Sequence, residues 1–169
     1  MSSELVTKND LKAILEQYQR AFITPWAEYR SSVTGFLTPT TGTWYKQSAC
    51  SGHTSNFYTS SSDIFEKDTN GIKILKKGQY LFLCQTHINC GGNGNSVQTR
   101  ITNFSTNAHI SLTSTYYMNG VSYCTLSSHG TGTIDVNQII APEYSRYAGS
   151  QTIRPSQVVL TVLFLEERD

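Results

Sequence analysis

The chain has 169 residues with 13 Lys+Arg against 12 Asp+Glu, a formal net charge of +1, which argues against both a basic nucleic-acid binder and an acidic solvating tail. Only 15% of residues are charged, below the roughly 25% usual for soluble domains, while Ser, Thr and Asn supply 51 of the 169. Between Gly78 and Pro142 the only Asp, Glu, Lys or Arg residues are Arg100 and Asp135, so neutral groups carry the polarity of that long interior stretch.

The length suits one domain with an appendage. The opening MSSELVTKND lacks the basic start and apolar stretch of a secretory signal. The text TKNDLKAILEQYQRAF predicts a helix, with Thr7 as N-cap and Asp10 at the third helical position. Leu11, Ile14, Leu15, Tyr18 and Phe22 recur at the spacing of one apolar helix face. Two uses of that seam fit equally: packing on the helix's own domain, or meeting copies of itself as a short stalk. Pro25 ends or bends the helix. Residues 1–30 are therefore expected as an attachment or trimerisation helix with its linker, and residues 31–169 as a separate head.

After Arg30 short β-rich runs alternate with Gly, Asn, Ser and Thr clusters, the pattern of a sandwich or barrel. Strands are expected near 33–37, 43–46, 56–59, 63–66, 72–75, 79–89, 97–103, 108–116, 121–126, 131–136, 138–147 and 157–166. In the strand from Gln79, Tyr80, Phe82, Cys84, Thr86 and Ile88 make one face, while the other opens with Leu81 and Leu83 before turning polar at Gln85, His87 and Asn89. Cys84, His87 and Cys90 have a spacing that could suggest zinc, but strand alternation sends His87 to the opposite face, so no metal is expected. Cys50, Cys84, Cys90 and Cys124 are sparse for a disulfide framework and read as thiols.

Further along, Tyr116, Tyr117, Tyr123, Tyr144 and Tyr147 stand among Ser, Asn and Gly. That mixture offers flat aromatic area beside neutral hydrogen-bonding groups, which suits a sugar; the plainer reading is strand residues of high β propensity. Tyr116, Tyr117, Tyr144 and Tyr147 are the candidate ligand contacts. In the last strand Val158, Leu160, Val162 and Phe164 form one face and Val159, Thr161, Leu163 and Leu165 the other. Both are apolar, where a plain two-sheet sandwich shows one core face and one solvent face. Its apolar run is far shorter than the roughly 20 residues of a membrane-spanning helix, so no membrane insertion is expected. Leaving Leu81, Leu83, Val159, Leu163 and Leu165 in water forfeits about 1.5–3 kcal/mol for each side chain that could be buried. These five are the candidate oligomer interface. The alternative is that the N-terminal helix or the 33–46 segment covers them within one chain.

Enzyme chemistry finds few supports. The head's acids, among them Asp63, Glu66, Asp68, Asp135 and Glu143, lie mostly at its edges, and no acid adjoins His53, His87, His109 or His129 in sequence. Gly91-Gly92-Asn93-Gly94 lacks the Lys-Ser/Thr and helix of a phosphate cradle. No catalysis and no cofactor are expected.

Asn70-Gly71-Ile72-Lys73-Ile74 followed by Lys77-Gly78-Gln79-Tyr80-Leu81-Phe82 resembles the strand pair and Gly-x-Tyr-x-Phe signature of the jelly-roll heads of complement and tumour necrosis factor-like proteins. Gly132 to Ile140 is similar to their paired strands about a tight turn, and the strand ending at Leu165 to their closing strand near the three-fold axis. The likeness spans residues 33–166 as strand order and about 15 residues as motif. Where the family often has Gly-Asp this chain has Asn137-Gln138, and its last strand lacks the family's glycine. The resemblance implies an all-β jelly-roll β-sandwich, here with a short N-terminal α-helix, that assembles as a homotrimer. Such heads occur on virion fibres, on bacterial surface proteins and on cytokines. A polar N-terminus leading into a helix fits a phage virion structural protein whose helix binds other virion proteins and whose head recognises a host-surface glycan. Alternatives are a purely architectural capsid or tail subunit, or a secreted or cell-surface binding head.

Overall fold

A computed structural model describes residues 24–91, 94–118 and 122–168. The expected helix, with Leu11, Ile14, Leu15, Tyr18 and Phe22, lies outside the described residues. The strands are β1 Trp26–Ser32, β2 Trp44–Tyr45, β3 Thr54–Thr59, β4 Phe65–Lys67, β5 Ile72–Ile74, β6 Gly78–Cys90, β7 Asn95–Asn103, β8 Ala108–His109, β9 Ser114–Met118, β10 Tyr123–Ile134, β11 Ile139–Ala148 and β12 Ile153–Glu167. They form two antiparallel sheets. One has the order β10-β6-β12-β1-β3; the other runs β4-β5-β11-β7-β8, with β2 also paired to β11 and β9 also paired to β7.

Period-two patterning explains this architecture. In β12 the inward Val158, Leu160 and Val162 are buried, as are Tyr80, Phe82, Cys84 and Ile88 of β6 and Ala27 and Tyr29 of β1. All of these except Ile88 meet Phe65, Ile72, Ile74, Ile101 and Ile140 of the second sheet in one apolar cluster. A second cluster toward the other end joins Val33, Ile88, Val97, Met118, Leu126, Tyr144 and Ile153. Edge and stacked contacts of the Tyr80 ring with Phe65, Phe82 and Phe164 tie strands of both sheets together. Gly71 sits where a Cβ would collide with the Ile140 carbonyl, which lets the β4–β5 hairpin lie against β11. Asn137 takes the positive φ of 66° at the turn into β11, a conformation asparagine tolerates, so the missing glycine there is replaced in kind.

Several sequence expectations change. The segment Trp26–Ser32 is a full strand between β12 and β3, so the head extends N-terminal of the expected boundary at residue 30. No strand occupies 33–37; there Leu37 makes an isolated bridge to Ile153. The two strands expected at 121–126 and 131–136 are one, β10, and the one expected at 108–116 is two, β8 and β9. β12 begins earlier than expected and carries bulges between Pro155 and Gln157 and between Phe164 and Glu166. Leu165 is the extra residue of the second bulge, so it departs from the alternation that placed it with Leu163.

Leu160 is fully buried in the central strand of its sheet. Leu160→Ala should cost about 2–5 kcal/mol, read as a lowered urea midpoint with unchanged slope at fixed protein concentration.

Candidate functional site

The outer face of the five-stranded sheet is built in rows, because direct cross-strand partners share a face. The first row is Trp26, Leu163, Leu81 and Thr131; the second is Tyr58, Glu28, Thr161, Leu83 and His129. The third is Asn56, Arg30, Val159, Gln85 and Ser127, and the fourth is Thr54, Ser32, Gln157, His87 and Thr125. Apolar side chains crowd the first two rows and amides and hydroxyls fill the last two. Trp26 is 39% exposed, Leu83 43% and Tyr58 48%, while Leu81, Val159 and Leu163 are half-buried. Thus Leu81, Leu83, Val159 and Leu163 do come together on adjacent strands. Leu165, 49% exposed, stands beyond the first row on its bulge.

Trp26 and Tyr58 complete this patch and were missed by sequence reading. The available signal was the Trp26-Ala27-Glu28-Tyr29 alternation, whose even positions face out. Shallow grooves flank Val159: one lined by Arg30, Asn56 and Gln157, one by His87, Asn89 and Ser156, and one by Leu83, His129 and Thr161. On the four rows the charged residues are Glu28 and Arg30, which pair with each other at 2.6 Å. The 33–46 segment does not cover the patch: β2 joins the opposite sheet, and Trp44 lies 3.9 Å from the Arg100 guanidinium.

That guanidinium belongs to a buried charge cluster on the seven-stranded sheet. Arg100 and Glu143 are direct partners on β7 and β11. Arg100 Nε and Nη2 donate to Glu143 Oε2 at 3.0 and 2.8 Å, and Thr102 Oγ1 donates to the same oxygen at 3.0 Å. Lys46 Nζ lies 3.8 Å from Glu143 Oε1 and 3.3 Å from the Phe104 ring centroid. Arg100 Nη1 also donates to His109 Nε2 at 3.0 Å. The cluster fastens the segments around Trp44 and Phe104 over β11, which is why β11 is buried on both sides.

The candidate tyrosines separate. Tyr116, Tyr117 and Tyr147 are exposed, at 43%, 58% and 61%, and strand β7 carries their partners: Val97 and Ser96 pair with Tyr116 and Tyr117, while Tyr147 sits in a bulge between the partners of Val97 and Ser96. Tyr144 is corrected: it is 1% exposed, donates to the Lys46 carbonyl at 2.7 Å and lies 3.1 Å from Cys50 Sγ. Burial, followed by the Cys50 contact, pushes its hydroxyl pKa far up. It is a core side chain, not a ligand contact.

The cysteines form no disulfide and all are buried. Burial pushes the Cys84 and Cys124 thiols up to about 12, which holds them protonated and unreactive at neutral pH. Cys84 lies in the core and His87 on the outer face, so they cannot share a metal. Ring partners of the histidines are Tyr29 Oη for His53, Thr125 Oγ1 for His87 and Arg100 for His109. Burial, then the nearby Lys67 charge, lowers the His53 pKa.

No protein-family model matches the sequence, and no curated protein does. Among solved structures, the chain is similar to the globular domain of zebrafish complement 1qA protein, with TM-score 0.55 at 11% identity over 86% of this chain and 100% of that one. It is similar to Eiger TNF from S. frugiperda, with TM-score 0.54 at 10% identity over 87% and 96%. It is also similar to the PRD1 vertex protein P5, with TM-score 0.53 at 12% identity over 85% and 99%. At such identities the likeness establishes the fold: an all-β sandwich of the tumour necrosis factor and complement-head jelly-roll type.

Glu143 is 9% exposed and Arg100 13% at the side chain. Glu143→Gln, which leaves two cations without their counter-charge, should cost about 3 kcal/mol, measured by chemical unfolding at neutral pH.

Proposed function

We propose that this chain is the head of a trimeric, non-enzymatic virion structural protein that assembles through the outer face of its five-stranded sheet and presents its remaining surface to a host glycan. The observation that carries the reading is the apolar end of that face, where Trp26, Leu81, Leu83 and Leu163 adjoin on three paired strands. An exposed cluster of this kind is a contact surface, and closed rotational symmetry buries every copy. Three copies accord with the fold's usual state. Phe164 N donates to the Pro25 carbonyl at 2.9 Å, so the segment preceding β1 leaves the sheet at this apolar end. There the Leu11, Ile14, Leu15, Tyr18 and Phe22 seams of neighbouring copies would be brought together and offered to other virion proteins.

The virion setting draws on the PRD1 vertex protein P5, which shares the fold. The same likeness favours the second reading, an architectural subunit with no ligand. For glycan recognition the support is the exposed Tyr116, Tyr117 and Tyr147 with neutral neighbours; their rings would pack on sugar C–H faces, and three linked copies would multiply a weak single-site affinity.

Light scattering of the parent should give three times the protomer mass, and Leu163→Asp should give the protomer mass or insoluble protein. A soluble Leu163→Asp protein of parental mass rejects the interface. On a multivalent glycan array the parent should bind and Tyr117→Ala with Tyr147→Ala should weaken binding at least tenfold. Binding confined to other virion proteins selects the architectural reading.

A further inference from the structure

The outer face of the five-stranded sheet carries two imidazoles. His129 on β10 is the direct partner of Leu83 and shares a groove with Leu83, Val159 and Thr161, inside the apolar part of the face. His87 on β6 lies between Gln157 of β12 and Thr125 of β10, with Nδ1 3.0 Å from Thr125 Oγ1 and its ring 5.7 Å from that of Tyr123. The other groups facing His87 are Gln85 and Asn89 of its own strand and Ser156 and Val159 of β12. Ser127 and Thr131 flank His129 along β10.

The charges nearby do not compensate either ring. Arg154, opposite Asn89, is a cation turned onto the Phe36 ring at 4.8 Å and the Thr34 carbonyl at 3.3 Å. Glu28 shares the row of His129 but is separated from it by Thr161 and Leu83, and it is engaged by Arg30 at 2.6 Å. Among the described residues of the four rows, no carboxylate adjoins His87 or His129.

Resting on the self-association reading above, we propose that the assembly is proton-labile, with His129 and His87 as the groups whose protonation separates the copies. Imidazole is the side chain that changes charge between pH 5 and 8. Neutral, it is a modestly polar surface that a contact between copies can cover. Charged, it needs water or a counter-charge, and the face supplies no adjacent carboxylate. In a closed assembly the same uncompensated cation recurs at every contact. A contact that covers the face therefore favours the neutral rings. Its strength is fully present above the ordinary imidazole range and is lost as pH falls through it. Each ring held neutral weakens association about tenfold per pH unit below that range.

The test is light scattering and sedimentation of the full chain at micromolar protomer, pH 7.5 and pH 5.0, with far-ultraviolet circular dichroism at both. The parent should be assembled at pH 7.5 and show at least a tenfold higher dissociation constant at pH 5.0, with its β spectrum unchanged. The His87→Gln/His129→Gln double variant should stay assembled at both; if it fails to assemble at pH 7.5, each single variant should show a reduced pH response instead. An unchanged dissociation constant for the parent at pH 5.0 overturns the proposal. So does acid dissociation undiminished in the variants, or loss of the β spectrum at pH 5.0, which would make unfolding the cause. A parent of protomer mass already at pH 7.5 overturns the self-association reading itself.

Discussion

The pairing of β12 with β6 and β1 is the constraint on which the rest of the molecule depends. β12 is hydrogen-bonded on both edges, to β6 over nearly all its length and to β1 over seven residues, so its alternation is locked and neither face can slip. Val158, Leu160 and Val162 must then point into the sandwich, where they are buried. Val159, Thr161 and Leu163 must point away from it. The same register aligns Leu81 and Leu83 beside them, and Trp26 on the other side. The apolar outer face is thus a consequence of the core: filling the inside with alternate residues of these strands fixes which side chains share the outside.

Charge is distributed by the same logic. Of the two charged residues between Gly78 and Pro142, Arg100 is neutralised by Glu143, just beyond the stretch, with two N–H groups donating to one carboxylate oxygen across β7 and β11. Asp135 is exposed near a turn. Within that stretch, β6 and β10 carry Gln, Leu, His, Asn, Tyr, Ser and Thr at their outward positions. The proposed contact between copies gains from this, because unpaired charges are costly to bury.

The likeness to complement and tumour necrosis factor-like heads was legible in the Gly-x-Tyr-x-Phe run at Gly78, Tyr80 and Phe82 and in the β-turn periodicity of the head. The two-faced β12 and the Leu81–Leu83 start of β6 were legible as alternation, and so was the separation of Cys84 from His87. Other features were not. Tyr144 sits in PEYSRY, among the tyrosines expected as ligand contacts, yet the Arg100–Glu143 pair and the covering segments bury both sides of β11. Leu165 fits the alternation as text but falls on a bulge, which a sequence pattern does not display. Trp26 to Arg30 fell within the expected helix and linker, although Ala27 and Tyr29 face the core.

By itself the sequence determined the fold class, the separation of core and outer faces along the long strands, and the near absence of charge in the middle of the head. Those are period-two properties of contiguous residues, set by the pleat. Only the tertiary structure decided which strands are neighbours, and hence that Trp26, Leu163 and Leu81 form one row, that Arg100 meets Glu143, and that Tyr144 is interior while Tyr147 is not. Strand order joins residues more than a hundred positions apart through cross-strand hydrogen bonds, and no local pattern encodes which partner a strand's edge will find.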